Sequence, residues 1–255
     1  MAGFFCNKSR NEMEHTMTFT AQLRAFVLNH GAVNNPYLTR FSEGRLTEQE
    51  FRQFAIQFFF FVKHFPRILA VLLANTPVDE AADELALILT SELGDGNPKK
   101  RHEYLYHKFL RSIGLDPVIA AREQRFDTTD KYIEGLASLY AHEDYQVAMG
   151  ASFGLEHMAI SMWDQLIPGI MKLKKTIPAF KDMNTVYWTF HRALEEQHEE
   201  AMMRALDDVP KEAEPSLQKG CSEVLSVLEG FWMGLEAASN NNDVSTVDLY
   251  ELSTV

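Results

Sequence analysis

Residues 186–206, VYWTFHRALEEQHEEAMMRAL, hold no proline or glycine and are dominated by good helix formers. On a helix, positions 191, 195 and 198 are offset by roughly 40° and −20° around the axis, so His191, Glu195 and His198 leave one face. Two imidazoles and a carboxylate at that spacing can converge on a metal ion, as helical ligands three or four residues apart do. Alone, HRALEEQHEE is better read as a solvated charge stripe. Its neighbours argue otherwise: Trp188, Phe190, Leu194 and Met202 share the helix, Tyr187 shares a turn with His191, and the stripe therefore borders core.

Two further stretches carry the same residue types. Glu92 and His102 flank Gly94, Gly96 and Pro98, each of which disfavours helix propagation. Ligands on either side of an irregular segment can wrap one metal; an ordinary helix stop followed by a surface histidine is the bland alternative. Glu156 sits in AMGASFGLEHMAISMW, where an unpaired carboxylate would carry a large desolvation cost unless bonded or coordinated. His157 points elsewhere on that helix, as a supporting or structural residue. Together the three stretches read as one buried metal site.

Helical signals fill the rest. A first helix spans Thr18 to His30, before the breaker GAVNNP. Thr47 and Glu50 form a capping box that opens a long helix through Phe51, Phe54, Phe58 and Phe61, with a kink expected at Pro66. Helices follow over Val78 to Leu93, Lys99 to Ile113, Asp127 to Tyr140, Glu143 to Met171, Asn184 to Leu206 and Ser216 to Ala238, with KLKKTIPAFKD read as a loop. No alternating strand pattern appears. The expectation is a single-domain, all-α bundle of seven to eight helices over residues 18–238, with a polar leader at 1–17 and a flexible tail at 239–255.

With 255 residues, 46% of them hydrophobic, the chain is long enough for one domain with a substantial core. A net charge of −12 disfavours nucleic acid and anionic membrane as partners. The Phe-rich stretch Phe54 to Leu73 is interrupted by Gln57, Lys63, His64, Pro66 and Arg67, short of the ~18 apolar residues a span requires, and reads as a buried helix. The N-terminus shows no export signal, and Cys6 and Cys221 make no staple framework, although one disulfide stays open; a reducing cytoplasm is expected.

NNPYLTRFSEGRLTEQEFRQFAIQ, ELGDGNPKKRHEYLYHKFLRSIGL, the mid-chain Glu156 and the HxxxExxH run together resemble the haem-oxygenase-like diiron oxidases and oxygenases, which share their fold with thiaminase II and pyrroloquinoline-quinone synthase. The resemblance covers residues 18–238. It implies that Glu92, His102, Glu156, His191, Glu195 and His198 are the protein ligands of two irons. Glu195 stands where the family often has Asp, a longer arm of the same charge, which leaves its coordination mode open. Three carboxylates and three neutral imidazoles oppose two divalent cations with a charge of −3, and mixed oxygen and nitrogen ligation suits iron, or manganese.

The implied chemistry is O2-dependent oxidation of a small-molecule substrate, with electrons from an external donor. Phe58, Phe61, Phe65, Phe153 and Trp188 are candidates for the dry substrate wall. Relatives that act as amine N-oxygenases carry an extra carboxylate on the preceding core helix, and Phe54 to Leu73 has none. That leaves C–H cleavage in a small amino acid or fatty acid, ending in desaturation, C–C scission or decarboxylation. Another relative makes p-aminobenzoate by consuming its own tyrosine; a tyrosine precedes its mid-chain glutamate, where Leu155 stands here. Tyr37, Tyr104 and Tyr106 are left as redox, surface or packing tyrosines.

Other classes fit less well. A ferritin-like bundle needs a second Glu-x-x-His on a core helix, and the other one here, Glu12 with His15, is in the leader. A thiaminase-like hydrolase needs a placed cysteine, and one axial histidine for haem would not explain the set. A non-catalytic metal-binding interaction protein stays open. A homodimer suits the fold, but no surface patch in the sequence argues for one.

Overall fold

A computed structural model describes residues 18–206 and 209–240; the leader with Glu12, His15 and Cys6, and residues 241–255 of the expected tail, lie outside them. Ten α-helices make up the described residues, with three short 3-10 turns and no strand. They are α1 (Phe19–Asn29), α2 (Pro36–Ser42), α3 (Glu48–Asn75), α4 (Asp79–Glu92), α5 (His102–Ser112), α6 (Pro117–Ala120), α7 (Asp127–Tyr140), α8 (Tyr145–Thr176), α9 (Val186–Ala205) and α10 (Glu214–Asn240).

The count exceeds the expected seven to eight because two short helices start at Asx-Pro pairs, Asn35-Pro36 within the stretch read as a breaker and Asp116-Pro117 between Ile113 and Asp127, where no helix was expected. Asn35 and Asp116 accept hydrogen bonds from backbone N–H groups of the first turns of α2 and α6, and Pro36 and Pro117 occupy the first helical position, where a missing N–H costs nothing. Helix α8 also runs five residues further than expected, taking in KLKKT. Those are good helix formers, Lys174 and Lys175 complement the helix dipole in its last turn, and Ile177-Pro178 ends it. At the chain's other end α10 reaches Asn240, so Ser239 and Asn240 are helical.

Helix α3 opens with the full capping box, Thr47 Oγ1 accepting from Glu50 N at 3.2 Å and Thr47 N donating to Glu50 Oε2 at 2.7 Å. It continues unbroken through Pro66. By length and mean hydropathy this one helix could cross a membrane, but 56% of its apolar window is buried inside the molecule. Its polar Gln57 is bonded at both ends of the amide: Nε2 donates to the Gln124 carbonyl, and Oε1 accepts from Phe126 N and from Thr129 Oγ1 at 2.7 Å. These bonds pin the start of α7 to α3.

Helices α8 and α10 share the most extensive contact, and glycines set their separation. A Cβ on Gly150 would fall 2.0 Å from the Leu217 carbonyl oxygen, and one on Gly220 1.8 Å from that of Val147. Helix α9 packs against α4, α5 and α8, which brings three ligand-bearing stretches onto one side of the HxxxExxH helix.

Candidate metal centre

Helix α4 ends at Glu92 and α5 begins at His102. Between them Gly94, Asp95 and Gly96 take positive φ angles of 88°, 52° and 77°, which turns the chain back on itself. Gly94 packs so tightly that a Cβ there would lie 2.5 Å from the Asn97 carbonyl oxygen and 2.6 Å from Arg101 N. The reversal sets His102 Nδ1 2.6 Å from Glu92 Oε2. Across from them on α9, His191 Nε2 lies 3.6 Å from Glu92 Oε1 and 3.6 Å from Glu195 Oε1. One and two turns further on, Glu195 and His198 meet α8, with His198 Nδ1 3.5 Å from Glu156 Oε2.

The six residues therefore assemble as two neighbouring groups, Glu92 with His102 and His191, and Glu156 with Glu195 and His198. Within each, one donor atom per residue lies within 4.8 Å of the others. All six side chains belong to residues between 1% and 8% exposed, so water does not screen them.

Burial and mutual proximity sort the charges. Burial pushes the Glu92 carboxyl up, but His102 and His191 outweigh it and hold the group well below the usual carboxylate range. Burial, and then the charge of Glu156, raises Glu195. For His198 burial pulls downward, and Glu156 and Glu195 together raise it. His191 is pushed down to about 4 by burial and by His102.

Four atoms of the set, Glu195 Oε2, His102 Nε2, His191 Nδ1 and His198 Nε2, are buried with no hydrogen-bond partner. Buried polar atoms are normally satisfied, and three clustered carboxylates need cations. The mixed oxygen and nitrogen donors fit divalent iron or manganese in each group.

A partly open cavity lies against the set. Phe58, Phe61 and Phe65 line it, with Glu92, Glu156, His191, Glu195 and His198 at one side. Two of the expected wall residues do not. Phe153 is fully buried and stacks on His157 at 3.8 Å, and Trp188 sits inside an aromatic cluster with Phe54, Phe58 and Phe109. Spacing along a helix fixes which face a ring leaves from, not which neighbour fills the space there. His157, with Nε2 3.5 Å from Glu199 Oε1, likewise stays outside the cavity.

The wall is completed by residues the sequence did not single out, among them Tyr132, Met158, Met162 and Trp163. Trp163 donates its indole N–H to Glu195 Oε1 at 2.7 Å. It lies two turns beyond Glu156 on α8, so a helical wheel drawn from Glu156 would have found it; Tyr132 on α7 left no such local signal. Of the tyrosines considered, Tyr37 stacks on Trp232, Tyr104 is exposed and Tyr106 donates to the Ala55 carbonyl, and none of them lines the cavity. Tyr132 and Tyr187 do.

A family model for iron-containing redox enzymes matches residues 52–239. The chain belongs to that family. Among curated proteins, this redox enzyme is 22% identical over 228 residues to a 4-aminobenzoate synthase of Nitrosomonas europaea, a match covering 84% of the chain and 91% of that protein. It is 26% identical over 143 residues to the 4-aminobenzoate synthase of Chlamydia muridarum, where the match spans 51% of the chain and 59% of the relative. A CADD-like protein of unknown function from Nostoc punctiforme superposes with a TM-score of 0.73 at 15% identity, covering 87% of this chain and 96% of that one. A Shewanella denitrificans domain with a heme oxygenase-like fold gives 0.68 at 16% identity, with 91% and 94% covered. These structures establish the fold: all-α and heme oxygenase-like.

Proposed function

We propose that this redox enzyme is a non-haem diiron, O2-dependent oxidase that cleaves a C–H bond in a small amino acid or fatty acid, with desaturation, C–C scission or decarboxylation as the outcome. The observation that carries the reading is the pairing of two buried three-residue groups at the edge of one apolar cavity. Glu92, His102 and His191 would hold one iron and Glu156, Glu195 and His198 the other; manganese suits the same donors. Iron bound there supplies the redox chemistry that O2 activation needs.

The protein's part is placement and exclusion of water. Phe58, Phe61, Phe65 and Met162 give a dry wall that holds an apolar substrate against the ligand side chains. Trp163 fixes one oxygen of Glu195. The reading includes an external electron donor and a reducing cytoplasmic setting.

The test is anaerobic loading with Fe(II), then stopped-flow mixing with O2 and candidate amino and fatty acids. A transient visible absorption that appears only with a substrate is expected. Two bound irons with no O2 uptake under any condition would leave the non-catalytic alternative standing.

A second reading, 4-aminobenzoate formation, is favoured by the curated relatives and by Tyr132 and Tyr187 lining the cavity. Its signature is release of 4-aminobenzoate together with a mass change at one of those two tyrosines; an amine N-oxygenase would instead oxidise an added arylamine.

A further inference from the structure

The outer face of α5 runs against the acidic character of the chain, whose net charge is −12. Arg101, Tyr104, Lys108 and Arg111 recur at i, i+3, i+7 and i+10, and all four are exposed. They form one outward stripe about 15 Å long. Lys99 and Lys100, exposed on the turn before the helix, extend it. Among the described residues none of these five cations has an ion-pair partner.

Of the acids beside the stripe, Glu103 lies 3.8 Å from His107 and Asp116 caps α6. At the stripe's centre Lys108 Nζ stands 5.2 Å over the Tyr104 ring, an aromatic group inside a basic rim. On α3, Lys63 adds to the same field: burial lowers the pKa of His107, and Arg111 and Lys63 push it the same way against Glu103.

The inward face of this helix begins with His102, 2.6 Å from Glu92. One peptide bond thus separates the stripe from the candidate ligand set. We infer that this face docks an acidic one-electron carrier protein of the ferredoxin class, which passes electrons to the metal centre through the first turn of α5. The inference rests on the diiron reading, which needs an external donor. Each docking oxidises the carrier by one electron, and two dockings supply the two electrons that convert two ferric ions to ferrous ions; no bond in the protein is made or broken. A small acidic protein matches a patch of this size, whereas the remainder of the surface would repel a long polyanion such as nucleic acid.

The test uses the full chain loaded with iron and oxidised, a reduced plant-type [2Fe–2S] ferredoxin as probe, and the variant Lys99→Glu/Lys100→Glu/Lys108→Glu, whose three exposed side chains support no core. Calorimetry of wild type should show association that weakens about tenfold as salt is raised from about 0.05 to about 0.3 M. The variant should lose about tenfold in association and in reduction rate at low salt, while reduction by dithionite, which needs no docking, keeps its rate. Equal association by wild type and variant, salt-independent association, or none at all overturns the inference. So does a preference for duplex DNA or anionic vesicles that the ferredoxin cannot displace. Failure of the parent reading is separately visible, because a protein that holds no iron is found by metal analysis before any carrier is added.

Discussion

Trp163 reaches from α8 to α9 and donates to Glu195 Oε1 at 2.7 Å, while Glu195 Oε2 has no partner. One oxygen is anchored and the other left free, which presents the carboxylate to a cation in a fixed orientation. Supporting hydrogen bonds of this kind typically change metal affinity by about 10- to 100-fold. Trp163→Phe keeps the ring and removes the donor, so iron affinity should fall by about that factor in a chelator competition. Unchanged affinity would show that the bond serves packing alone.

The two-group arrangement predicts how metal content responds to single changes. Glu156→Ala and His198→Ala should each lower iron from two per chain toward one, because Glu92, His102 and His191 stay intact. Metal analysis after desalting reads the result directly. Retention of two irons in either variant removes that residue from the ligand set.

Gly94 and Gly96 both hold positive φ, yet they differ in surroundings. A Cβ at Gly94 would strike the Asn97 carbonyl and Arg101 N, whereas nothing lies within 4 Å of one at Gly96. Gly94→Ala should therefore cost about 1–3 kcal/mol and disturb the Glu92 to His102 approach. Gly96→Ala carries the backbone cost alone, about 1 kcal/mol. Thermal unfolding of the two variants should rank them in that order, with iron affinity lowered in the first.

Cys221 is fully buried, and burial pushes its thiol up to about 12. A raised value keeps the neutral thiol through the range in which an unfolded cysteine, near 9, ionises. Stability linked to that proton is complete below pH 9 and is lost as pH climbs toward 12, since only the unfolded chain gives the proton up. In a Cys6→Ser background, the native protein should show no thiol reactive to a disulfide reagent at pH 8, and one after denaturation. Rapid labelling of the native protein would contradict the burial.

Local pattern was enough for much of this. The 191, 195 and 198 face, the Thr47 capping box and the breaks at 94–98 follow from helix period and backbone chemistry, both short-range. The two Asx-Pro starts were equally local but ambiguous, because the same dipeptide can stop a chain or open a helix. Phe153 and Trp188 show where such reasoning ends. Each has a ring on an apolar face, as Phe58 and Phe61 do, yet the first stacks on His157 and the second fills an aromatic cluster.

The sequence by itself determined an all-helical chain and the residue types fit to hold metal, because helix period and capping depend on neighbours three or four positions apart. Only the tertiary structure decided that Glu92 joins one three-residue group and Glu156 and His198 the other, that Trp163 holds Glu195, and that Tyr132 rather than Tyr106 faces the cavity. Those relations depend on how closely α8, α9 and α10 approach. That approach is set by steric contacts between residues far apart along the chain, such as Gly220 against Val147.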